Sequence, residues 1–160
     1  NPHSVAREFG HDDVLALLTE HTPVSLALAL AYEAGDEAAV SRIMAEHPDA
    51  GRQLDDDLLA KLPAAARSNN AAGIHLMLAA GWPASTPNSN GETALHWASF
   101  HGNAESVEEL IRCGADVTAR DATFDGTPLG WARYGADNSW LREEGDFAAV
   151  ISALDAAGAR

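Results

Sequence analysis

Basic residues and thiols are scarce in this sequence, and each shortage excludes a class of function. Lysine and arginine number 10 against 24 aspartates and glutamates, which gives a formal net charge of -14 and a pI near 4.6. A surface of that sign meets a phosphate backbone with repulsion instead of counterion release, so nucleic acid is not expected as a partner. The same repulsion disfavours anionic membranes. No apolar run approaches the roughly 18 residues that a spanning helix needs, and a soluble domain is expected. The single cysteine, Cys113, excludes an internal disulfide framework and any zinc site built from several thiolates. It also points to a reducing, cytoplasmic location. Aromatic residues make up only 6% of a chain that is 46% apolar, so alanine and leucine carry most of the packing, which favours helices meeting at short distance.

What is present is a repeat. The run Thr93, Ala94, Leu95, His96, Trp97, Ala98, Ser99, Phe100, His101, Gly102 is followed by Val107, Leu110 and Ile111, then by Gly114, Ala115, Asp116 and Val117. A step back of about 33 positions lands Leu95 on Leu62, Ala98 on Ala65, Val107 on Ile74, Leu110 on Met77 and Gly114 on Gly81. A step forward finds Thr127, Pro128, Leu129, Trp131 and Ala132, then Val150, Leu154, Gly158 and Ala159. Toward the N-terminus, Leu28, Leu30, Ala31, Gly35, Val40 and Ile43 fit one unit, and Pro2, Val5, Ala6, Gly10, His11, Val14, Leu17 and Leu18 another.

This pattern resembles the ankyrin repeat, T-P-L-H-x-A-A-x-x-G followed by an apolar helix and G-A-D-V. The resemblance implies an all-α solenoid of about five helix-turn-helix units in one domain, 1–160, with approximate units 1–24, 25–54, 55–87, 88–121 and 122–160. Each signature residue has a physical task. Thr93 and Thr127 stand where a hydroxyl can cap the first helix of a pair, and Pro128 suits the first helical turn, where a missing N–H costs little. Ala98 and Ala132 are small enough for close helix approach. Gly102 and Gly114 are placed where the backbone turns left-handed. His96 is expected to hydrogen-bond the adjoining turn rather than to hold a ligand.

Some units depart from the pattern. Only Thr22, Pro23 and Val24 separate the first two units, which predicts a tight turn. Asp55, Asp56 and Asp57 before Leu58 and Leu59 predict an extra helical turn opened by acidic residues. In the last unit Gly135 stands where the first helix is expected to end, and Asn138 to Glu144, with Trp140, reads as an insertion before a second helix that begins after Gly145. Trp140 is expected to fold back and cap the stack. The T-P-L-G-W-A phrase with such an insertion is similar to the closing repeat of a group of bacterial ankyrin proteins. Because the first residues already fit a repeat, the chain is expected to be part of a longer polypeptide.

The resemblance implies protein binding on a concave face made by the first helices and the hairpin tips. The residues it assigns there are Ser89, Asn90, Glu92, Trp97, Phe100 and His101 in the fourth unit and Phe124, Asp125, Trp131 and Tyr134 in the fifth. Most aromatics fall between Trp82 and Phe147, against only Phe9 and Tyr32 before them, and aromatics are the usual anchors of binding hot spots. The alternative for Trp97 and Trp131, that they pack against neighbouring hairpins, stays open. Glu92, Asp125, Asp137, Glu143 and Glu144 bias the expected partner toward a basic or mixed surface.

Catalytic and cofactor chemistry find no motif. His3, His21, His47, His75 and His101 lack the H-x-x-x-H spacing of helical zinc ligands, His11 belongs to a repeat turn, and Asp55 to Asp57 lack the glycine and closing glutamate of a calcium loop. There is no phosphate-cradling glycine loop and no G-x-S-x-G elbow. A hydrolase built on His101 with Asp125 or Glu92 has no nucleophile. The expectation is a monomeric, non-enzymatic, cofactor-free protein-interaction module. A self-assembling structural domain, a regulatory part of a larger polypeptide and a glycan or small-molecule binder are the alternatives.

Overall fold

The computed structural model describes residues 24–159 apart from 49, 51–53 and 55. The first unit and the Thr22–Pro23 turn lie outside the described residues. The second unit pairs α1 (Val24–Ala34) with α2 (Glu37–Glu46). The third has a split first helix, α3 (Asp56–Leu59) and α4 (Lys61–Arg67), and then α5 (Ala71–Ala79). The fourth pairs α6 (Ala94–His101) with α7 (Ala104–Arg112), and the fifth pairs α8 (Pro128–Asn138) with α9 (Phe147–Ala156). The chain is an all-α solenoid: among the described residues the extended pairing is limited to a Pro87–Thr93 bridge at one hairpin.

Two capping devices recur and fix the helix pairs. At the end of the first helix the backbone turns left-handed at Gly35, Asn69 and Gly102. The next residue then caps the second helix with a side-chain oxygen: Asp36 accepts from Ala39 N–H at 3.0 Å, Asn70 from Gly73 at 2.9 Å and Asn103 from Ser106 at 3.0 Å. Asp146 does the same for Ala149 at 2.9 Å in the last unit. Each cap satisfies an amide that a helix start leaves unpaired. The second helices close with a six-to-one bond across a left-handed glycine, Trp82 N–H to Met77 O at 3.1 Å, Ala115 to Leu110 at 2.9 Å and Ala159 to Leu154 at 3.0 Å.

With the pairs so fixed, the periodic apolar residues meet. Helix α6 lies between α4 and α8, while α7 lies between α5 and α9. Leu62, Leu95 and Leu129 of successive first helices are buried, as are Ile74, Val107 and Val150 of successive second helices. Ala98 and Ala132 are buried too, their size permitting the short helix separation. The expected extra turn is α3. Its separation from α4 follows from Pro63, which cannot donate to the carbonyl of Leu59 and so breaks the helical ladder there.

The last unit corrects one expectation. Helix α8 does not stop at Gly135 but continues to Asn138. Gly135 is buried against α6, where a Cβ would stand 2.2 Å from the carbonyl oxygen of Phe100. That glycine serves helix contact, not termination. The second helix begins after Gly145, as the sequence predicts.

Candidate functional site

Helical spacing builds the site. Trp97, Phe100 and His101 stand at i, i+3 and i+4 on α6, and Trp131 and Tyr134 at i and i+3 on α8, so each set shares one helix face. The close contact of α6 with α8, which Gly135 allows, brings the two sets together. Trp97 meets Trp131 edge to face with centroids 5.1 Å apart, and Phe100 stacks on Tyr134 at 6.3 Å. The insertion adds a sixth ring. Trp140 lies 4.8 Å from His101, 5.5 Å from Phe100 and 6.4 Å from Trp97. It folds back as expected, but onto the rings of α6, and remains 63% exposed.

Polar groups beneath the rings hold them in place. The indole N–H of Trp97 donates to Glu92 Oε2 at 3.2 Å, and that of Trp131 to Asp121 Oδ2 at 3.0 Å. Asp121 is buried at the base of its hairpin and also accepts from the backbone N–H groups of Thr123, Phe124 and Gly126. Burial pushes its carboxyl pKa up. The N–H donors of Phe124, Trp131, Gly126 and Thr123 outweigh that and hold it below the usual carboxylate value. Consecutive hairpins are tied by Ala122 N–H donating to Asn90 O at 2.8 Å.

Two histidines join the units. His96 Nδ1 accepts from Thr93 N–H at 3.1 Å, and Nε2 lies 3.1 Å from the Gly126 carbonyl of the next hairpin. Since a carbonyl only accepts, the proton sits on Nε2. This is the structural role expected of it. His101 Nε2 lies 3.0 Å from the carbonyl of Arg67 in the preceding unit, and Nδ1 lies 3.2 Å from Ser139 Oγ in the insertion. Burial pushes both imidazoles below their ordinary pKa, against the opposing pull of the Gly126 and Arg67 carbonyls.

The residues assigned to the partner face therefore divide. Ser89, Asn90, Asp125, Phe124 and Tyr134 are exposed, the last two at 79% and 63%, and Trp97 and Trp131 are half-buried. Glu92, Phe100 and His101 are a correction: they are buried, because stacked hairpins enclose Glu92 and three units meet around His101. Both nitrogens of His101 are engaged within the stack, which removes it as a general base. The packing alternative holds for the N–H edges of Trp97 and Trp131. Phe124 makes none of the ring contacts found among the described residues, and Asp125 pairs with Arg120 at 2.9 Å. Sequence reasoning left out of the site Trp140, Asp121 and Arg67, whose guanidinium lies 5.2 Å from the Trp97 ring centroid. Among the described residues no group of three or more His, Cys, Asp or Glu lies together to hold a metal, and no helix is long and apolar enough to cross a membrane.

Comparison with known proteins agrees with the repeat architecture. A family profile for ankyrin repeats, in three copies, matches residues 26–121. Similar curated proteins include palmitoyltransferase Hip14 of Drosophila melanogaster, 31% identical over 61 residues, which are 38% of this chain and 10% of that protein. Palmitoyltransferase AKR1 of Eremothecium gossypii is 46% identical over 39 residues, 24% of this chain and 5% of that protein. Putative palmitoyltransferase ZDHHC13 of Danio rerio is 32% identical over 82 residues, 43% of this chain and 13% of that protein. The chain thus spans a small fraction of the length of these relatives. The profile match ends before the T-P-L-G-W-A phrase at Thr127. With more than half its length matched by the profile, and with capped helix pairs recurring at the expected period, the chain belongs to the ankyrin-repeat family.

Proposed function

We propose that this stack is a protein-interaction module that grips a partner protein through the ring cluster on α6, α8 and the insertion, with the hairpin tips at Ser89, Asn90, Phe124 and Asp125 alongside. The observation that carries the reading is the exposure of Tyr134, Trp140 and Phe124. The buried core is filled without these large apolar side chains, and Tyr134 and Trp140 stand against rings fixed from below. Exposed aromatics on a rigid support are what binding hot spots require.

The reading places the module in the cytoplasm, where the exposed thiol of Cys113 stays reduced, and assigns it neither nucleic acid nor membrane as a partner. It assigns no catalysis to the repeats themselves. A regulatory position within a larger polypeptide fits the same surface, and the size of the palmitoyltransferases that share the repeats favours it. Self-assembly through the ring face is the competing use, and light scattering over a concentration series separates it from binding a different protein. The direct test is photo-crosslinking in host extract from position 134 and, as a control, from the exposed Glu108 on α7. The reading expects one protein captured from 134 and not from 108. Equal capture from both positions refutes it.

A further inference from the structure

The ring face has a chemical preference built into it. Glu92 and Asp121 are buried, yet neither takes part in an ion pair among the described residues. Their partners are N–H groups: Asn88 and Trp97 side chains for Glu92, and Trp131 with three backbone amides for Asp121. Two carboxylates are thereby fixed against the indole N–H edges. An indole that donates its N–H to a carboxylate has its π electrons polarised outward, which strengthens attraction for a cation over the ring.

The molecule already shows that attraction in use. Arg67, reaching from the end of α4, sets its guanidinium over Trp97 at 5.2 Å from the ring centroid. The rings of Tyr134 and Trp140 belong to the same cluster and stay open to solvent. Along α8 and the insertion the exposed Arg133 and Arg142 are outnumbered by Asp137, Glu143, Glu144 and Asp146, which adds to the buried carboxylates, and the net charge of -14 adds attraction for a cation at longer range.

We propose that the Tyr134 and Trp140 faces, in one ring cluster with the Trp97 and Trp131 indoles that Glu92 and Asp121 hold, take arginine side chains from a basic segment of the partner protein. This rests on the ring cluster being the partner surface and specifies what that surface recognises. Arginine fits better than lysine because its planar guanidinium stacks on a ring face and is weakly hydrated.

The test uses two probes on the whole chain: a capped nonapeptide of alternating glycine and arginine, and the same peptide with citrulline at each arginine, which keeps the shape and removes the charge. The arginine peptide is expected to shift the indole N–H resonances of Trp97 and Trp140 and to bind at least tenfold more tightly than its citrulline counterpart. The double variant Tyr134→Ala, Trp140→Ala leaves the net charge unchanged and is expected to weaken the arginine peptide at least fivefold while melting as the parent does. The resonance shifts in the parent protein stand whether or not that variant folds. Equal binding of the two peptides, absence of indole shifts, or arginine binding indifferent to the double variant in its folded form overturns the proposal. If crosslinking from position 134 captures one partner while the arginine peptide fails, the face remains a partner surface and only the guanidinium assignment falls. Without preferential capture from 134, the underlying reading falls as well.

Discussion

Asp121→Asn changes one atom of the candidate site and leaves its shape intact. In the parent, Oδ1 accepts from the backbone N–H groups of Thr123 at 2.9 Å and Phe124 at 2.7 Å, while Oδ2 accepts from Gly126 at 2.9 Å and from the Trp131 indole at 3.0 Å. An amide offers only one acceptor oxygen, so whichever way it turns, two of these donors face an NH2 group. Each donor left without an acceptor costs about 1–2 kcal/mol, so the substitution is expected to destabilise the last unit by about 2–4 kcal/mol. For a chain of this size that lowers the melting temperature by very roughly 5–15 °C. The assay is urea unfolding followed by tryptophan fluorescence, with Trp131 reporting locally, together with a thermal melt. The sign with pH is also fixed. The folded pKa of Asp121 lies below its unfolded value, so the parent holds this stability above about pH 4 and loses it as pH falls through the folded pKa. The variant should lose less on the same acidification. An Asp121→Asn protein within about 0.5 kcal/mol of the parent would refute the account of how the hairpin holds Trp131.

Three further outcomes are expected. His96 and His101 have folded pKa values pushed below the unfolded value of about 6.5. The unfolded chain therefore takes up protons first, and stability should fall between about pH 7 and pH 5; imidazole titration by NMR should place both midpoints below about 6.5. Gly135→Ala puts a methyl group 2.2 Å from the Phe100 carbonyl oxygen and should cost about 2 kcal/mol or more, more than Gly114→Ala, where only the left-handed backbone resists at about 1–2 kcal/mol; chemical denaturation of the two variants compares them. Tyr134→Ala should alter stability by no more than about 0.5 kcal/mol, whereas Phe100→Ala, the buried ring on α6 against which it stacks, should cost about 3 kcal/mol or more, and equal losses would show that Tyr134 is a core residue.

The fold was legible because its signals are local. A threonine three residues before a histidine, a small residue at the helix contact and a glycine at a left-handed turn each state their task within a few positions, and the period multiplies them. The capping pairs Gly35–Asp36, Asn69–Asn70, Gly102–Asn103 and Gly145–Asp146 carry the same kind of signal, although the asparagine at the third hides it from a search for glycine. The site was legible only in part. Glu92 and His101 read as surface residues because their burial comes from units about 30 positions away, which no local pattern states. Gly135 looked like a stop because glycine ends most first helices here, and only the approach of α6 shows its use. Trp140 was visible as an aromatic in an insertion, but its resting place depends on Ser139 binding His101 across units. Asp121 carried no motif, since a carboxylate that collects four N–H donors is recognisable only when the hairpin has closed around it.

The proposed partner surface is the set of rings on α6, α8 and the insertion. Hydrogen–deuterium exchange of the chain, alone and bound to the partner captured from position 134, tests it most directly. Protection is expected at Asn88 to Glu92, at Phe124 to Asp125 and from Trp131 to Leu141, with α5, α7 and α9 unchanged. Protection along α5, α7 and α9 that leaves the ring cluster exchanging freely would contradict it.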